Sequence, residues 1–111
     1  MSDCLFCQIA NKKIPKEFIE ENSLVMVFAD IHPVAPIHLL IVPKKHIAEF
    51  IKFGEQDKII WEELNRMVKK MIKKYQLESR GYRIVCNGGG AQLIDHFHLH
   101  LMGGILTGRK L

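Results

Sequence analysis

The chain has 111 residues, of which 48% are hydrophobic and 25% charged, and it carries a formal net charge of +4 at pH 7. This length and composition predict one ordered domain over residues 1–111 with a single core. The basic residues lack the interleaved aromatic residues of a nucleic-acid stripe, so no nucleic-acid partner is expected. Because the longest apolar run, around 37–42, is too short to cross a bilayer, no membrane partner is expected and the default location is cytoplasmic.

The first half of the chain predicts short elements separated by prolines. A helix is expected over 8–14, because the residue before a proline is disfavoured in the α region and ends it there. A short strand is expected over 18–20, and a longer one over 23–30, where β-branched and aromatic residues concentrate. Two prolines make 31–36 a loop, because proline cannot serve a central strand. The apolar run 37–42 then predicts another strand.

The second half predicts a long helix followed by a hairpin. A short helix is expected over 47–53 and a long one over 55–77, in which acids come early and lysines late, as the helix dipole prefers. A strand over 82–86, a glycine-rich loop over 87–92 and a strand over 96–102 form the hairpin. The apolar residues of the long helix recur at the 3.6-residue period and predict one buried stripe: Ile59, Ile60, Leu64, Met67, Val68, Met71, Ile72 and Tyr75.

Two of the three cysteines form a C-x-x-C pair near the N-terminus. Three cysteines cannot close a disulfide framework, so reduced thiols are expected. The spacing of Cys4 and Cys7 suits two thiolates on one Zn²⁺ or a redox disulfide, and the alternative is two buried small side chains flanking Phe6. A redox role is disfavoured because the pair does not lie between a strand and a helix of a βαβ unit.

The most informative segment is 96–102, in which histidines alternate with apolar residues. Successive side chains of a strand point to opposite faces, so His96, His98 and His100 are predicted to share one face. Three interpretations fit: an amphipathic edge strand with surface histidines, a metal site, or phosphorus chemistry by a histidine nucleophile. The loop 87–92 favours the last, because glycines let backbone N–H groups turn toward an anion; a floppy connection is the alternative.

These features together resemble the histidine triad (HIT) nucleotide-binding family, whose signature is His-x-His-x-His followed by apolar residues. The signature matches His96-Phe97-His98-Leu99-His100-Leu101-Met102. The resemblance implies an α+β fold with a five-stranded antiparallel sheet, one long helix and one short helix, and a homodimer joined through the long helix and a sheet edge. The other segments that carry the resemblance are 4–9, 27–33, 35–38, 42–46 and 87–92.

The resemblance also implies a hydrolase that cleaves a P–N or P–O bond at the α-phosphate of a purine nucleotide, with nucleoside phosphoramidase activity as the first expectation. By this analogy His98 is the nucleophile and carries the nucleotidyl group, His96 supports it, and His100 and His38 contact the phosphate. A neutral imidazole with one free nitrogen is nucleophilic, which agrees with this assignment. No organic cofactor is expected.

An AMP-like purine nucleotide is the implied partner. Asp30 would accept hydrogen bonds from both ribose hydroxyls, with an Asx turn at the start of the proline loop as the alternative. Adenine is expected over guanine, although apolar walls discriminate purines poorly. The other implied substrate-site residues are the base-pocket positions Phe6, Phe28 and Ile31 and the loop positions Asn87, Ala91 and Gln92.

Members of the family with C-x-x-C at this place carry a structural Zn²⁺. The resemblance implies that Cys4, Cys7, His46 and His96 form a closed Cys₂His₂ shell with no open position for catalysis. A metal on His96 would also anchor the strand that carries the nucleophile.

Two departures from the family bear on the substrate. Many relatives place Ser or Thr after the loop glutamine, where this chain has Leu93, so hydroxyl assistance to a leaving amine is in question. The loop before the triad is also shorter than in the eukaryotic phosphoramidase branch. The alternatives are a dinucleoside polyphosphate hydrolase, a nucleotide-binding regulatory module with little catalysis, and a zinc-binding structural protein.

Overall fold

One antiparallel sheet carries the histidine segment in its interior. The structure is a computed structural model that describes residues 4–105, and within that range five strands form: β1 (Glu20–Glu21), β2 (Val25–Ala29), β3 (Ile37–Pro43), β4 (Tyr82–Cys86) and β5 (Leu99–Gly103). Their order is β1-β2-β3-β5-β4, and all neighbours are antiparallel. This confirms the expected sheet. Because β5 lies between β3 and β4, the triad does not belong to an edge strand.

The register of β5 brings the histidines of two strands together. In the β3–β5 ladder His100 lies opposite Leu40, and His38 lies opposite Met102. The two histidines are thus diagonal neighbours on one face, a separation that imidazole rings can bridge. On its other side His100 lies opposite Val85 of β4.

Two helices cover the two faces of the sheet. The short helix α1 (Leu5–Ala10) packs on one face and the long helix α2 (Lys58–Lys74) on the other. Phe97, Leu99 and Leu101 belong to the core beneath α2, so the histidines between them face α1, as the alternation predicts. The buried residues of the α1-side core are Phe6, Ile9, Met26, Phe28, Leu40 and Val42.

The first helix begins and ends earlier than the predicted range 8–14. It starts directly after Cys4, whose sulfur accepts the backbone N–H of Cys7 at 3.4 Å and so serves as the N-cap. It ends near Lys12, whose φ of +62° is incompatible with a right-handed helix. The cysteine pair therefore lies at the start of the helix, with Cys4 as the N-cap and Cys7 in the first turn.

The predicted helix over 47–53 is wrong, because only a 3₁₀ turn, Phe50–Lys52, forms there. The carbonyl of Ile47 accepts the backbone N–H of Phe97 at 2.6 Å, and the carbonyl of Ala48 accepts a side-chain amide of the glycine-rich loop at 2.7 Å. These long-range bonds use carbonyl groups that an α-helix would need for its own ladder.

The long helix is confirmed with narrower bounds than 55–77. A 3₁₀ turn, Glu55–Asp57, precedes α2, and Gln76 in the left-handed region, at φ 56°, follows it. Most of the predicted stripe is buried, but Ile59 is 68% exposed and does not belong to it. Within the described range no helix combines the length and apolar character needed to cross a bilayer.

The histidine strand begins at Leu99 rather than at residue 96. The ladder between β5 and β3 ends where Leu99 pairs with Ile41. From there to Pro43, which has no N–H to donate, β3 pairs only with β2. His96 donates its backbone N–H to the carbonyl of Ile94 instead. The segment that leads into β5 therefore lies outside the sheet, although its side chains keep the alternation.

Candidate active site and metal centre

The three histidines of the triad lie on one face but serve two different clusters. The ring centroids of His98 and His100 are 5.0 Å apart, and those of His38 and His100 are 5.2 Å apart. Phe6 of α1 places its ring edge-on to both His96, at 5.7 Å, and His98, at 5.2 Å. His98 stands between a histidine pair on one side and a cysteine-rich cluster on the other.

Backbone hydrogen bonding fixes the tautomer of His98. Its Nδ1 lies 2.8 Å from the carbonyl oxygen of His96, which can only accept, so Nδ1 carries the proton. Nε2 then holds the free lone pair. His98 is 8% exposed and lines a pocket, so a ligand can reach its side chain. A neutral imidazole held in this way is a nucleophile.

A second chain of hydrogen bonds fixes the tautomer of His100. The backbone N–H of Val34 donates to Nδ1 of His38 at 3.1 Å, which leaves the proton of a neutral His38 on Nε2. That Nε2 lies 2.9 Å from Nδ1 of His100 and donates to it. The proton of a neutral His100 is therefore on Nε2, where it can be donated to a ligand oxygen.

The electrostatics of the cluster keep these rings neutral. Burial lowers the pKa of His100 to about 4, aided by the nearby rings of His98 and His38 and opposed by Asp30. Burial likewise lowers the pKa of His96 to about 4, against the favourable bond to the Pro43 carbonyl. The pKa of His38 is also lowered by burial, while Asp30 acts to raise it.

Asp30 follows β2 and uses its two carboxylate oxygens differently. Oδ1 accepts the backbone N–H of His32 at 2.8 Å, which is the Asx turn considered as the alternative. Oδ2 lies 3.4 Å from Nε2 of His38 and 3.9 Å from Nδ1 of His100. These three side chains are close enough to share a metal ion, but Nε2 of His38 carries a proton that it donates to the lone pair of His100 Nδ1, so neither of these nitrogens offers a free lone pair.

A pocket of about 410 Å³ opens beside His98 and His100. Most of the predicted substrate residues line it: Phe6, Phe28, Asp30, Ile31, Asn87 and Ala91. Leu5, Ile9 and Lys16 line it too and were not predicted; Ile9 follows Phe6 by three residues on α1, a spacing that would have revealed it. His38 does not line the pocket, but it is hydrogen-bonded to His100, which does.

The glycine-rich loop is held by the segment that precedes the 3₁₀ turn. The backbone N–H of Gly89 donates to a carboxylate oxygen of Glu49 at 3.1 Å, so this N–H does not face the pocket. The side chain of Gln92 donates to the carbonyl of Ala48 at 2.7 Å and lies away from the lining, with its own Oε1 buried and unpaired among the described residues. Leu93 is fully exposed at the pocket rim.

The four predicted metal ligands meet at one point. Nδ1 of His96 lies 3.3 Å from the sulfur of Cys4, 3.5 Å from that of Cys7 and 3.2 Å from Nδ1 of His46. Nδ1 of His46 lies 3.3 Å from the sulfur of Cys7. Tetrahedral Zn²⁺, with bonds of about 2.0 Å to nitrogen and 2.3 Å to sulfur, holds its ligand atoms about 3.3 to 3.8 Å apart. The four side chains fit such an ion, and all three cysteines are free thiols.

His96 connects the candidate metal centre to the ring of His98. Its Nε2 donates to the carbonyl of Pro43 at 2.7 Å, so the Nδ1 lone pair points to the cysteines. Its own carbonyl accepts from the His98 ring. One residue thus aims its side chain at the candidate metal position and orients the His98 ring with its backbone carbonyl.

Comparison with known proteins matches nearly the whole chain. The family model described as "Scavenger mRNA decapping enzyme C-term binding" matches residues 3–110. A HIT-like protein of Buchnera aphidicola is 37% identical over 106 residues, covering 94% of this chain and 95% of that protein. The structure is similar to that of a HIT family hydrolase from Legionella pneumophila, at 42% identity and TM-score 0.86, covering 94% of this chain and 95% of that one. A HIT family hydrolase from Clostridium thermocellum gives 33% identity and TM-score 0.90, covering 100% and 98%.

Proposed function

Because the chain belongs to the histidine triad (HIT) family, we propose that it is a nucleotide-binding hydrolase that cleaves the P–N or P–O bond at the α-phosphate of a purine nucleotide. A nucleoside phosphoramidate is the proposed first substrate. The proposal depends above all on His98, whose Nδ1–H is held by the His96 carbonyl while the ring lines the pocket.

The proposed reaction has two displacements at phosphorus. Nε2 of His98 attacks the α-phosphorus, and the P–N bond breaks with its electron pair going to the leaving amine, which takes up a proton from solvent. The nucleotidyl group is then bonded to Nε2, and the carbonyl of His96 stabilises the resulting imidazolium through Nδ1–H. Water attacks the same phosphorus and loses a proton to solvent, the bond to Nε2 breaks with its electron pair returning to Nε2, and a nucleoside monophosphate and neutral His98 are released.

His100 and His38 are proposed to act on the phosphate oxygens in both steps. The bond from Val34 to His38, and from His38 to His100, leaves Nε2–H of His100 as a donor beside His98. A donor aimed at a developing oxyanion is typically worth about 3 kcal/mol of transition-state stabilisation. The low pKa of His100 means that it donates as a neutral ring at neutral pH.

The rest of the pocket suits a nucleoside. Asp30 lies beside the histidine pair, where its carboxylate could accept from ribose hydroxyls, and the apolar walls formed by Phe6 and Phe28 are suited to a purine ring. Leu93 offers no hydroxyl to protonate a leaving amine, so a good leaving group is favoured. This observation supports the second candidate, a dinucleoside polyphosphate hydrolase, whose leaving group is a phosphate.

A structural Zn²⁺ is proposed for Cys4, Cys7, His46 and His96. When bound, the ion would hold α1 to the segment before β5 and supply no Lewis acid chemistry, because the four side chains fill a tetrahedral shell. The thiolates that it requires agree with the proposed reducing, cytoplasmic location.

A homodimer is also proposed. The edge strand β4 exposes Tyr82 and Ile84 at 44% and 47%, and α2 exposes Ile59. An apolar edge strand of this kind is stabilised when a second chain covers it. The molecular mass in solution tests this, and a monomer at micromolar concentration would contradict it.

Steady-state rates of the wild type and of His98→Ala test the function. Adenosine and guanosine phosphoramidates and a diadenosine polyphosphate are compared, with binding of the monophosphates measured in parallel. The proposal predicts turnover that falls by at least about a thousandfold in His98→Ala while the monophosphates still bind. Equal and negligible turnover in both proteins would contradict the hydrolase, and binding alone would favour the regulatory module.

A further inference from the structure

Lys16 lines the pocket but has no role in the proposed chemistry. Among the described residues that line the pocket it is the single lysine or arginine, and its ammonium lies over the aromatic ring of Phe28. No carboxylate within residues 4–105 forms an ion pair with Lys16. Its ammonium is therefore available to a ligand in the pocket.

A row of aromatic rings leads from the nucleophile to this ammonium. The ring of Phe6 lies 5.2 Å from that of His98 and 5.7 Å from that of Phe28, and Nζ of Lys16 lies 5.0 Å from the Phe28 ring centroid. If the phosphorus of a nucleotide faces His98 and its base packs along this row, the ammonium lies near the far edge of the base.

The backbone of Lys16 is fixed even though its side chain is long. Its neighbours Ile14 and Phe18 both pack against the core cluster that contains Phe28. Lys16 itself is half-buried. The attachment point of the side chain is therefore held beside Phe28, and the flexible side chain can adjust to a bound base.

We infer that Lys16 selects purines with a carbonyl oxygen at C6, so that guanine and hypoxanthine nucleotides bind better than adenine nucleotides. The inference rests on the proposed function, because it needs a nucleotide bound with its phosphate at His98. Guanine and hypoxanthine present two acceptors, O6 and N7, on one edge, and lysine bonds readily to that pair. Adenine presents one acceptor and an amino donor there, and an ammonium has no acceptor for that donor. The sequence-based expectation of adenine did not take Lys16 into account.

Calorimetric binding of GMP, IMP and AMP to the metal-loaded full chain tests the inference. GMP and IMP are expected to bind about tenfold more tightly than AMP. In Lys16→Met this preference is expected to fall to within about twofold. Equal affinity of IMP and GMP assigns the preference to O6 rather than to the 2-amino group.

Two further variants make the result specific. Lys12 also lies over an aromatic ring, Phe18, at 4.4 Å, but outside the pocket, so Lys12→Met should keep the full preference. Lys16→Gln presents a donor and an acceptor, the pattern that suits adenine, and should shift the preference toward AMP.

Three outcomes overturn the inference. If AMP binds as tightly as GMP to the wild type, or if the preference survives in Lys16→Met, Lys16 does not select the base, whereas the nucleotide binding that the proposed function requires is retained. If none of the three nucleotides binds the wild type, the proposed function fails as well. Thermal unfolding of each variant confirms that the comparison is made on folded protein.

Discussion

Phe6 provides the sharpest test of how the candidate metal centre, the proposed nucleophile and the pocket depend on one side chain. It lies between the two cysteines on α1, is 2% exposed, and contacts the rings of Phe28, His96 and His98 at centroid distances of 5.2 to 5.7 Å. Truncating a buried phenylalanine typically costs about 3 to 5 kcal/mol. Because one side of Phe6 already borders the pocket, we expect Phe6→Ala to cost about 3 kcal/mol, the lower end of that range.

The assay is urea unfolding of metal-loaded protein, with nucleotide affinity measured on the folded variant. Phe6→Ala should weaken GMP and AMP together by about tenfold, because the same ring packs against His98 and is the proposed wall of the base site. Phe6→Leu, which keeps most of the volume, should cost about 1 kcal/mol and serves as the matched control. A cost below about 1 kcal/mol for Phe6→Ala, or normal nucleotide affinity after a large loss of stability, would refute the proposed joint role.

Three further predictions concern the metal, pH and the ribose. Wild type should hold one zinc per chain by elemental analysis and Cys4→Ser should lose it, whereas Cys86→Ser should keep it; equal zinc in all three rejects the site. The pKa of about 4 for His100, against 6.5 unfolded, leaves the free energy of unfolding unaffected above pH 6.5 and lowers it by up to about 3 kcal/mol as the pH falls to 4. His100→Gln should lack that part of the slope in urea titrations, and identical slopes contradict the burial of a neutral ring. Asp30→Asn should weaken AMP about tenfold but 2′,3′-dideoxy-AMP little, since charge-assisted bonds to the two ribose hydroxyls are lost; an equal loss for both nucleotides would exclude the ribose contact.

Local alternation accounts for what could be predicted of the triad. Phe97, Leu99 and Leu101 pack in the core beneath α2, and the histidines that alternate with them face α1. This holds although His100 is the one triad histidine that lies in β5. The two-residue period survives outside the ladder because one side of the segment is buried in the core. The cysteine pair and its two histidine partners also converge as the resemblance implied.

Features that depend on the path of distant backbone were beyond prediction. The tautomer of His38 is determined by the backbone N–H of Val34 in the proline loop. Neither residue type predicts that hydrogen bond. The carbonyl of Ile47 accepts the backbone N–H of Phe97 and is not available to the helix that the apolar spacing predicts for 47–53. Lys16 enters the pocket because its neighbours pack against the core, a placement that the sequence does not show.

Mass spectrometry of the reacting enzyme tests the central claim most directly. Protein mixed with a nucleoside phosphoramidate and quenched under alkaline denaturing conditions should carry one nucleotidyl group, and fragmentation should locate it on His98. The adduct should be absent from His98→Ala. Turnover by wild type without an adduct on His98, or with the group on His100, would contradict the assignment of the nucleophile.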